Sequence, residues 1–336
     1  MICTLFDDGD FVTQTHSVQS VRSNLAAANI VKNRLLLSRN FSLTHLVSHS
    51  DSPQTDLSTS SLPKFNNLLI TSPCEHVVAI ELHKPKVKNA FCLNTAEDLV
   101  HALDSLESNS SVRCIILSGD GSDFTSGVDL KSFMGVYSQL QETEDVAKRA
   151  KLLHNIIKQF QAPFKRLCSF SKPIICVMHG LSIGLAMELA ACSDIRYCAK
   201  DTKLAIREVM IGIAADVGSL QLLPRLMSNQ SMLNELIFTG RFFGPDEALE
   251  WGFISRICDN KDLAVAAAVK TACAIASRSP VAVQGSKVNL RFSRHKSFED
   301  GLDYNAVWNM AMVQSEDVVK AIGAIMSREE AKFGDF

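Results

Sequence analysis

Apolar residues in this chain fall into short dense bursts between residues 68 and 206 and into longer helical periods after residue 218. LLITS (68–72) and HVVAIEL (76–82) are β-branched and alternate, which predicts two paired strands. A helix is predicted next, with Ala96, Leu99, Val100, Leu103 and Leu106 on one face, Asn94 as its cap and Glu97 three residues on, as in a capping box. CIILSG (114–119) reads as a buried strand that ends in the loop DGSDFTSG. PIICVM (173–178) reads as another, breaks at His179-Gly180, and gives way at Gly184 to a helix, LAMELAACS. DIRYCA (194–199) and KLAI (203–206) are further strand-like bursts. Beyond Gly218 the period turns helical, with segments near 219–227, 230–239, 245–251, 261–278, 280–293, 297–314 and 316–330. The class is therefore α/β, with strands and helices interleaved first and helices gathered at the end.

Composition narrows the picture. A chain of 336 residues that is 46% hydrophobic and 21% charged can bury a sizeable core. A formal net charge of −2 lacks the basic excess of a nucleic-acid binder, so no nucleic-acid partner is expected. The ten cysteines include no C-x-x-C and most sit in apolar runs, so they read as reduced core residues, with neither a disulfide framework nor a metal site. The run 173–193 is apolar and nearly long enough to span a membrane. His179, Gly180, Ser182, Gly184 and Glu188 interrupt it, and no span is expected.

Residues 1–63 differ from the rest. They are rich in Ser, Thr, Asn and Gln, and residues 11–50 contain no Asp or Glu while Arg22, Lys32, Arg34 and Arg39 are spaced through them. That is the composition of a mitochondrial transit peptide. Asp7, Asp8 and Asp10 do not fit it, which leaves a later start or a disordered extension as the alternatives. The last residues, Phe333-Gly334-Asp335-Phe336, are not a Ser-Lys-Leu peroxisomal address.

The candidate chemistry lies in 173–218, where three carboxylates, Glu188, Glu208 and Asp216, stand in mostly apolar surroundings. Ionised carboxylates are costly to bury, so each must be paired, hydrogen-bonded, protonated or exposed on a turn. Taken singly, each is more readily a solvated or salt-bridged acid than a catalyst. No P-loop, dinucleotide-binding glycine fingerprint or H-E-x-x-H motif is present.

HKPKVKNAF (83–91), FTSGVDL (124–130), REVMIGIAADVG (207–218), NQSMLNEL (229–236), SPVAVQGSKVNL (279–290) and YNAVWNMAMVQSED (304–317) together resemble the crotonase superfamily, the enoyl-CoA hydratase and isomerase group, and most closely its Δ3,5-Δ2,4-dienoyl-CoA isomerases. The resemblance runs from about Leu68 to the last helix. It implies a crotonase-like spiral of repeated ββα units with a C-terminal helical region. The organisation expected is an N-terminal extension over 1–63, a spiral core over 64–258 and a helical trimerisation region over 259–336. Trimers that pair as hexamers follow from the same likeness, with Trp308, Met310 and Met312 available for contacts between subunits or for core packing.

The resemblance also implies an acyl-CoA substrate and assigns roles. Backbone N–H groups of Val128 and Leu185 would meet the oxygen of a thioester enolate. Lys88, Ala90, Ser126, Gly127, Val128, Asp129 and Leu130 would line the CoA moiety. Asp216 would take a proton from carbon 2, Glu208 would return one at carbon 6, and Glu188 would tune the pocket. No metal, flavin or nicotinamide is required. The sequence departs from the family pattern in having Gly184-Leu185-Ala186 where Gly-Gly-Gly is common, and Glu188 where the dienoyl isomerases carry Asp. Asp216 points back to the isomerases, since hydratases have a small residue there. The alternatives are a 2-enoyl-CoA hydratase, with Glu188 and Glu208 activating water, and a non-catalytic crotonase-like binding protein. A mitochondrial matrix location in fatty acid β-oxidation completes the expectation.

Overall fold

The computed structural model describes residues 64–336, so the expected extension lies outside the described residues. The strands are β1 (Leu68–Cys74), β2 (Val77–Leu82), β3 (Cys114–Gly119), β4 (Ile174–Met178), β5 (Leu181–Ile183), β6 (Ile195–Ala199), β7 (Lys203–Ala205) and β8 (Arg256–Cys258). Six form one sheet in the order β1-β2-β3-β4-β6-β8, antiparallel at β1/β2 and parallel thereafter. β5 and β7 form a small parallel pair of their own. Among them run α1 (Leu93–Ser108), α2 (Leu130–Gln141), α3 (Val146–Ser169) and α4 (Leu185–Cys192). Later come α5 (Ser219–Leu222), α6 (Gln230–Thr239), α7 (Pro245–Glu250), α8 (Lys261–Ala276), α9 (Pro280–Ser293), α10 (Phe298–Met312) and α11 (Glu316–Ser327). This is the α/β arrangement the apolar pattern predicts.

β3 shows why its sequence reads as an unbroken apolar run. Ile115 and Leu117 face one core with Leu99 and Leu103 of α1, Phe164 of α3 and Leu189 of α4. Cys114 and Ile116 face the other way, toward Ala264, Ala268, Ala272 and Ala276 of α8. A parallel strand covered on both faces has no solvent side on which to place polar residues. The alanines recur every four residues, so α8 lays a flat stripe of small side chains on the sheet. Emptying the larger core at Leu99 or Leu103, both fully buried, would cost about 2–5 kcal/mol on truncation to Ala.

Four local expectations are corrected. Asn94 caps nothing: α1 begins at Leu93 with Cys92 as its N-cap and no side-chain cap bond. Phe91 is bridged to Val128, which holds the chain extended through Cys92 and starts the helix early. The cysteines are not all reduced. Cys74, at the end of β1, and Cys273, on α8, form a disulfide with Cα atoms 6.6 Å apart, joining residues 199 positions apart that the packing of α8 brings together. The segment 219–227 is not one helix, because Pro224 offers no N–H and the chain tightens into a 3-10 turn, Leu223–Arg225, after α5. Finally, α2, α3, β5 and β8 arise where no element was placed. Among the described residues no helix is long and apolar enough to cross a membrane.

Candidate active site

The loops that follow the parallel strands meet at the C-terminal ends of β3 and β4, where clefts open in sheets of this kind. Asn89 ties two of them together. Its side-chain amide donates to the carbonyls of Asp120 and Asp123, each at 2.8 Å, while its Oδ1 accepts from the Lys84 N–H at 2.7 Å. The Thr125 hydroxyl donates to the Asn89 carbonyl at 2.7 Å. His179 is almost wholly buried beneath them with its ring nitrogens against the carbonyls of Gly119 and Ser122, and burial pushes its pKa down. His179 is a scaffold residue.

On this frame the segment 124–130 runs beside Phe91. The Phe91 N–H donates to the Gly127 carbonyl and the Asp129 N–H to the Phe91 carbonyl, each at 2.8 Å. Between those two bonds the Val128 N–H faces away from Phe91 and has no partner among the described residues. Gly127 stands at φ 94°, a backbone region closed to most side chains, and a Cβ there would lie 3.1 Å from the Ile183 carbonyl. The second unpartnered N–H is that of Leu185, first residue of α4, which as an N-terminal helical amide has no intrahelical acceptor. Both residues line one cavity of about 1040 Å³.

The cavity wall is otherwise apolar. Phe133, Val136, Tyr137 and Leu140 of α2 and Leu153, Ile156, Ile157 and Phe160 of α3 form one side of it, with Met210, Ile211 and Ile213 on another. These residues are the main part of the site that the sequence analysis misses. Their signal in the sequence is a set of apolar positions at helical spacing, 153, 156, 157, 160, 164 and 167, which continues past Pro163 inside α3.

Of the three acids, two face this cavity. Glu208 opens a 3-10 turn, Glu208–Ile211, that Gly212 terminates, and Asp216 follows on the same loop. Both are on the cavity wall. Glu208 Oε2 is buried with no hydrogen-bond partner among the described residues. Burial raises its pKa, and the charge of Asp216 raises it further. Burial raises that of Asp216 as well. The Gln161 side-chain amide donates to the Asp216 carbonyl at 2.6 Å and so pins the loop to α3. Glu208 Oε1 lies close under Gly184, whose φ of 59° and missing Cβ make room for it; a Cβ there would come within 2.9 Å of that oxygen.

Glu188 is set apart. It is fully buried in α4 and is not on the cavity wall. Burial first, then the neighbouring Glu208 charge, pushes its pKa up to about 8, so it is mostly neutral at pH 7. The Ser219 hydroxyl and amide face this carboxyl and draw its pKa partly back, yet neither Glu188 oxygen nor Ser219 Oγ makes a hydrogen bond of normal geometry.

The residues expected along CoA divide in the same way. Ala90, Ser126, Gly127, Val128, Asp129 and Leu130 line the cavity. The Asp129 carboxylate is engaged as the N-cap of α2, accepting from the N–H groups of Lys131 and Ser132. Lys88 stands between the wall residues Val87 and Ala90 without lining the cavity, and its carbonyl accepts the Ser126 N–H at 2.9 Å. Among the described residues no group of three His, Cys, Asp or Glu side chains is arranged to hold a metal.

Comparison with known proteins bears on the family and the fold. The sequence profile of a family described as enoyl-CoA hydratase/isomerase matches residues 74–335. A rat protein named Delta(3,5)-Delta(2,4)-dienoyl-CoA isomerase, mitochondrial, is 40% identical over 270 residues, covering 80% of this chain and 82% of its own. The human protein of the same name is 39% identical over 268 residues, covering 80% and 81%. An Arabidopsis thaliana protein, named as the peroxisomal form, is 36% identical over 252 residues, covering 75% and 90%. In fold, the crystal structure of enoyl-CoA hydratase from Bacillus anthracis superimposes with a TM-score of 0.72 at 24% identity, over 80% of this chain and 98% of that one.

Proposed function

Because this chain belongs to the enoyl-CoA hydratase/isomerase family, we propose that it is a Δ3,5-Δ2,4-dienoyl-CoA isomerase of fatty acid β-oxidation. The observation that carries this reading is the division among its acids: Glu208 and Asp216 share the wall of an apolar cavity, while Glu188 lies behind it. A hydratase in this frame needs Glu188 and Glu208 together on a water. A 1,5-proton transfer needs two separate acids along the acyl chain.

In the proposed reaction the thioester oxygen accepts hydrogen bonds from the Val128 and Leu185 N–H groups. Asp216, ionised, removes a proton from carbon 2, and the charge passes to that oxygen as an enolate conjugated with the two double bonds. Each such donor contributes about 2.7–4 kcal/mol to the transition state. Glu208, whose protonated form burial and the charge of Asp216 both favour, is the proposed proton donor to carbon 6, and the double bonds settle at 2,4 in conjugation with the thioester. Asp216 leaves the step protonated and Glu208 ionised, so a proton must return between them before the next turnover. Keeping Glu188 neutral avoids a third negative charge beside this exchange. The steps use only carboxylates and amides of the chain.

The segment 83–91 and residues 126–130 would hold the CoA moiety, and the apolar wall of α2 and α3 would take the acyl chain. We place the protein in the mitochondrial matrix, by analogy with the rat and human relatives, and as a trimer or hexamer. Purified protein is to be given 3,5-dienoyl-CoA and 2-enoyl-CoA in parallel. Appearance of the conjugated dienoyl absorbance with the first, at a rate well above loss of enoyl absorbance with the second, is the expected result; the reverse order would establish the hydratase.

A further inference from the structure

The segment that ends α3 and the last residue of α4 bring two free thiols together. Cys168 Sγ lies 3.2 Å from Cys192 Sγ, the only hydrogen-bonded thiol pair among the described residues. Cys192 is buried and also points at the Phe164 carbonyl, 3.5 Å away, so it is held against α3. Cys168 is half-buried. α9 covers it with positive charge: the Arg291 guanidinium donates to the Cys168 carbonyl at 2.8 Å, and Lys287 and Arg294 lie near. Cys168 is the donor in the contact between the sulfurs, and Cys192 turns its own S–H to the Phe164 carbonyl. The charges of Lys287, Arg294 and Arg291 therefore favour a Cys168 thiolate, while Cys192 has no cation beside it among the described residues; the two differ as a reactive and a resolving thiol differ.

We propose that Cys168 and Cys192 are a peroxide-oxidation site that closes reversibly to a disulfide, stapling α3 to α4 and slowing turnover. The Cys168 thiolate attacks one oxygen of hydrogen peroxide. An S–O bond forms, the O–O bond breaks, and the departing hydroxide takes a proton to become water; the sulfur is oxidised to sulfenic acid while the peroxide is reduced. The Cys192 thiol then gives up its proton and attacks the Cys168 sulfur. The S–S bond forms, the S–O bond breaks, and the departing hydroxide takes that proton as a second water. A dithiol reductant restores both thiols: one of its sulfurs attacks the bridge and breaks the S–S bond, and its second sulfur then displaces the protein thiol, leaving the reductant oxidised to its own disulfide.

The bond requires the sulfurs to close from 3.2 Å to about 2.05 Å. That movement falls on α4, only eight residues long, whose first residue offers the Leu185 N–H and whose first turn carries Glu188. It falls also on α3, whose earlier turns form the apolar wall. Misplacement by about 1 Å at such a site can lower a rate ~100-fold.

The test uses the reduced full-length protein, exposed to hydrogen peroxide, alkylated and mapped without reduction. A linked peptide joining Cys168 to Cys192 is expected, released by dithiothreitol, together with at least a threefold fall in turnover that dithiothreitol restores. Cys192→Ser should lose both the linked peptide and the fall in turnover, and its Cys168 should be trapped as sulfenic acid by dimedone. A melting curve shows that the variant is folded. The Cys74–Cys273 bridge is read separately in the same map. Cys168 and Cys192 both still alkylated, at a dose that oxidises the half-buried Cys258, would overturn the site; a bridge without loss of turnover would overturn the control. The turnover readout rests on the isomerase reading, whereas the peptide map does not, so a protein inactive on dienoyl-CoA even when reduced would refute only the former.

Discussion

At the scale of single residues the three acids separate by where they point. Asp216→Asn keeps size and most hydrogen bonding but removes the proton acceptor, and losing a general base costs about 10²–10⁴ in rate. Dienoyl isomerisation should fall by that range, Glu208→Gln should fall comparably, and the double variant should be far from additive because the two act as one relay. Rates normalised to folded protein decide it: an Asp216→Asn protein within threefold of the unaltered one would remove Asp216 from the mechanism. Glu188 makes a different prediction, about stability. Its carboxyl is ordinarily half-ionised at pH 4.5 but here stays protonated to about pH 8, so between those values the folded chain binds a proton that the unfolded chain has released. Folding stability drawn from this group is whole below pH 4.5 and is lost as pH rises through 8. Glu188→Gln, which cannot ionise, should therefore melt with a flatter pH profile, gaining on the unaltered protein from pH 5 to 8.5. Parallel profiles would mean that Glu188 is ionised when folded.

At the scale of elements, α4 gathers more of the site than any other. It is a short, wholly buried helix whose open N-terminus presents the Leu185 N–H, and Gly184 lets Glu208 approach that end. Gly184→Ala should destabilise the fold by about 1–3 kcal/mol, because φ 59° with ψ −118° is strained for an L side chain. It should also lower turnover by more than the lost folded fraction accounts for, since the new Cβ meets the Glu208 carboxylate. A melting shift with turnover per folded molecule unchanged would count against this placement. The elements were unevenly legible in the sequence. β3 and β4, buried on both faces, announce themselves as apolar runs, and the alanine stripe of α8 falls within a predicted helix. The acids and the two amide donors were reached through family blocks, since nothing in spacing says which way a side chain points. That Glu188 lies behind the wall while Asp216 is on it depends on how α4 and the 207–218 loop dock, which is tertiary information. The apolar wall is not legible as a site, although α2 and α3 repeat their apolar residues at helical spacing, because spacing gives the apolar face of a helix and not whether that face borders a cavity or a core. The Cys74–Cys273 bridge was missed for a related reason: each cysteine sits in an apolar run, and only the folded packing of α8 brings them together.

At the scale of the molecule, the question is what covers the last three helices. Trp308 is already engaged within the chain, its indole packed where Gly285 of α9 leaves no Cβ, and Tyr304 stacks on Phe292. The residues beside them are not. Met310 on α10 is 67% exposed, and on α11 Val319, Ile325 and Met326 are 73%, 77% and 81% exposed. α11 nonetheless has the strong apolar stripe of a helix built to pack on something. Apolar surface gathered on one pair of helices is characteristic of an interface between copies, and its burial would yield about 25 cal/mol per Å² before the cost of association is subtracted. A trimer, or two trimers paired, is expected by light scattering at micromolar concentration, and the mass of a single chain would reject it. Ile325→Lys together with Met326→Lys should lower that mass while leaving the melting of the monomer's own core near its former value, because neither side chain contributes to that core. If the double variant instead keeps the full assembled mass, the exposed face of α11 is not the contact, and the apolar surface of α10 must be probed next through Met310→Lys.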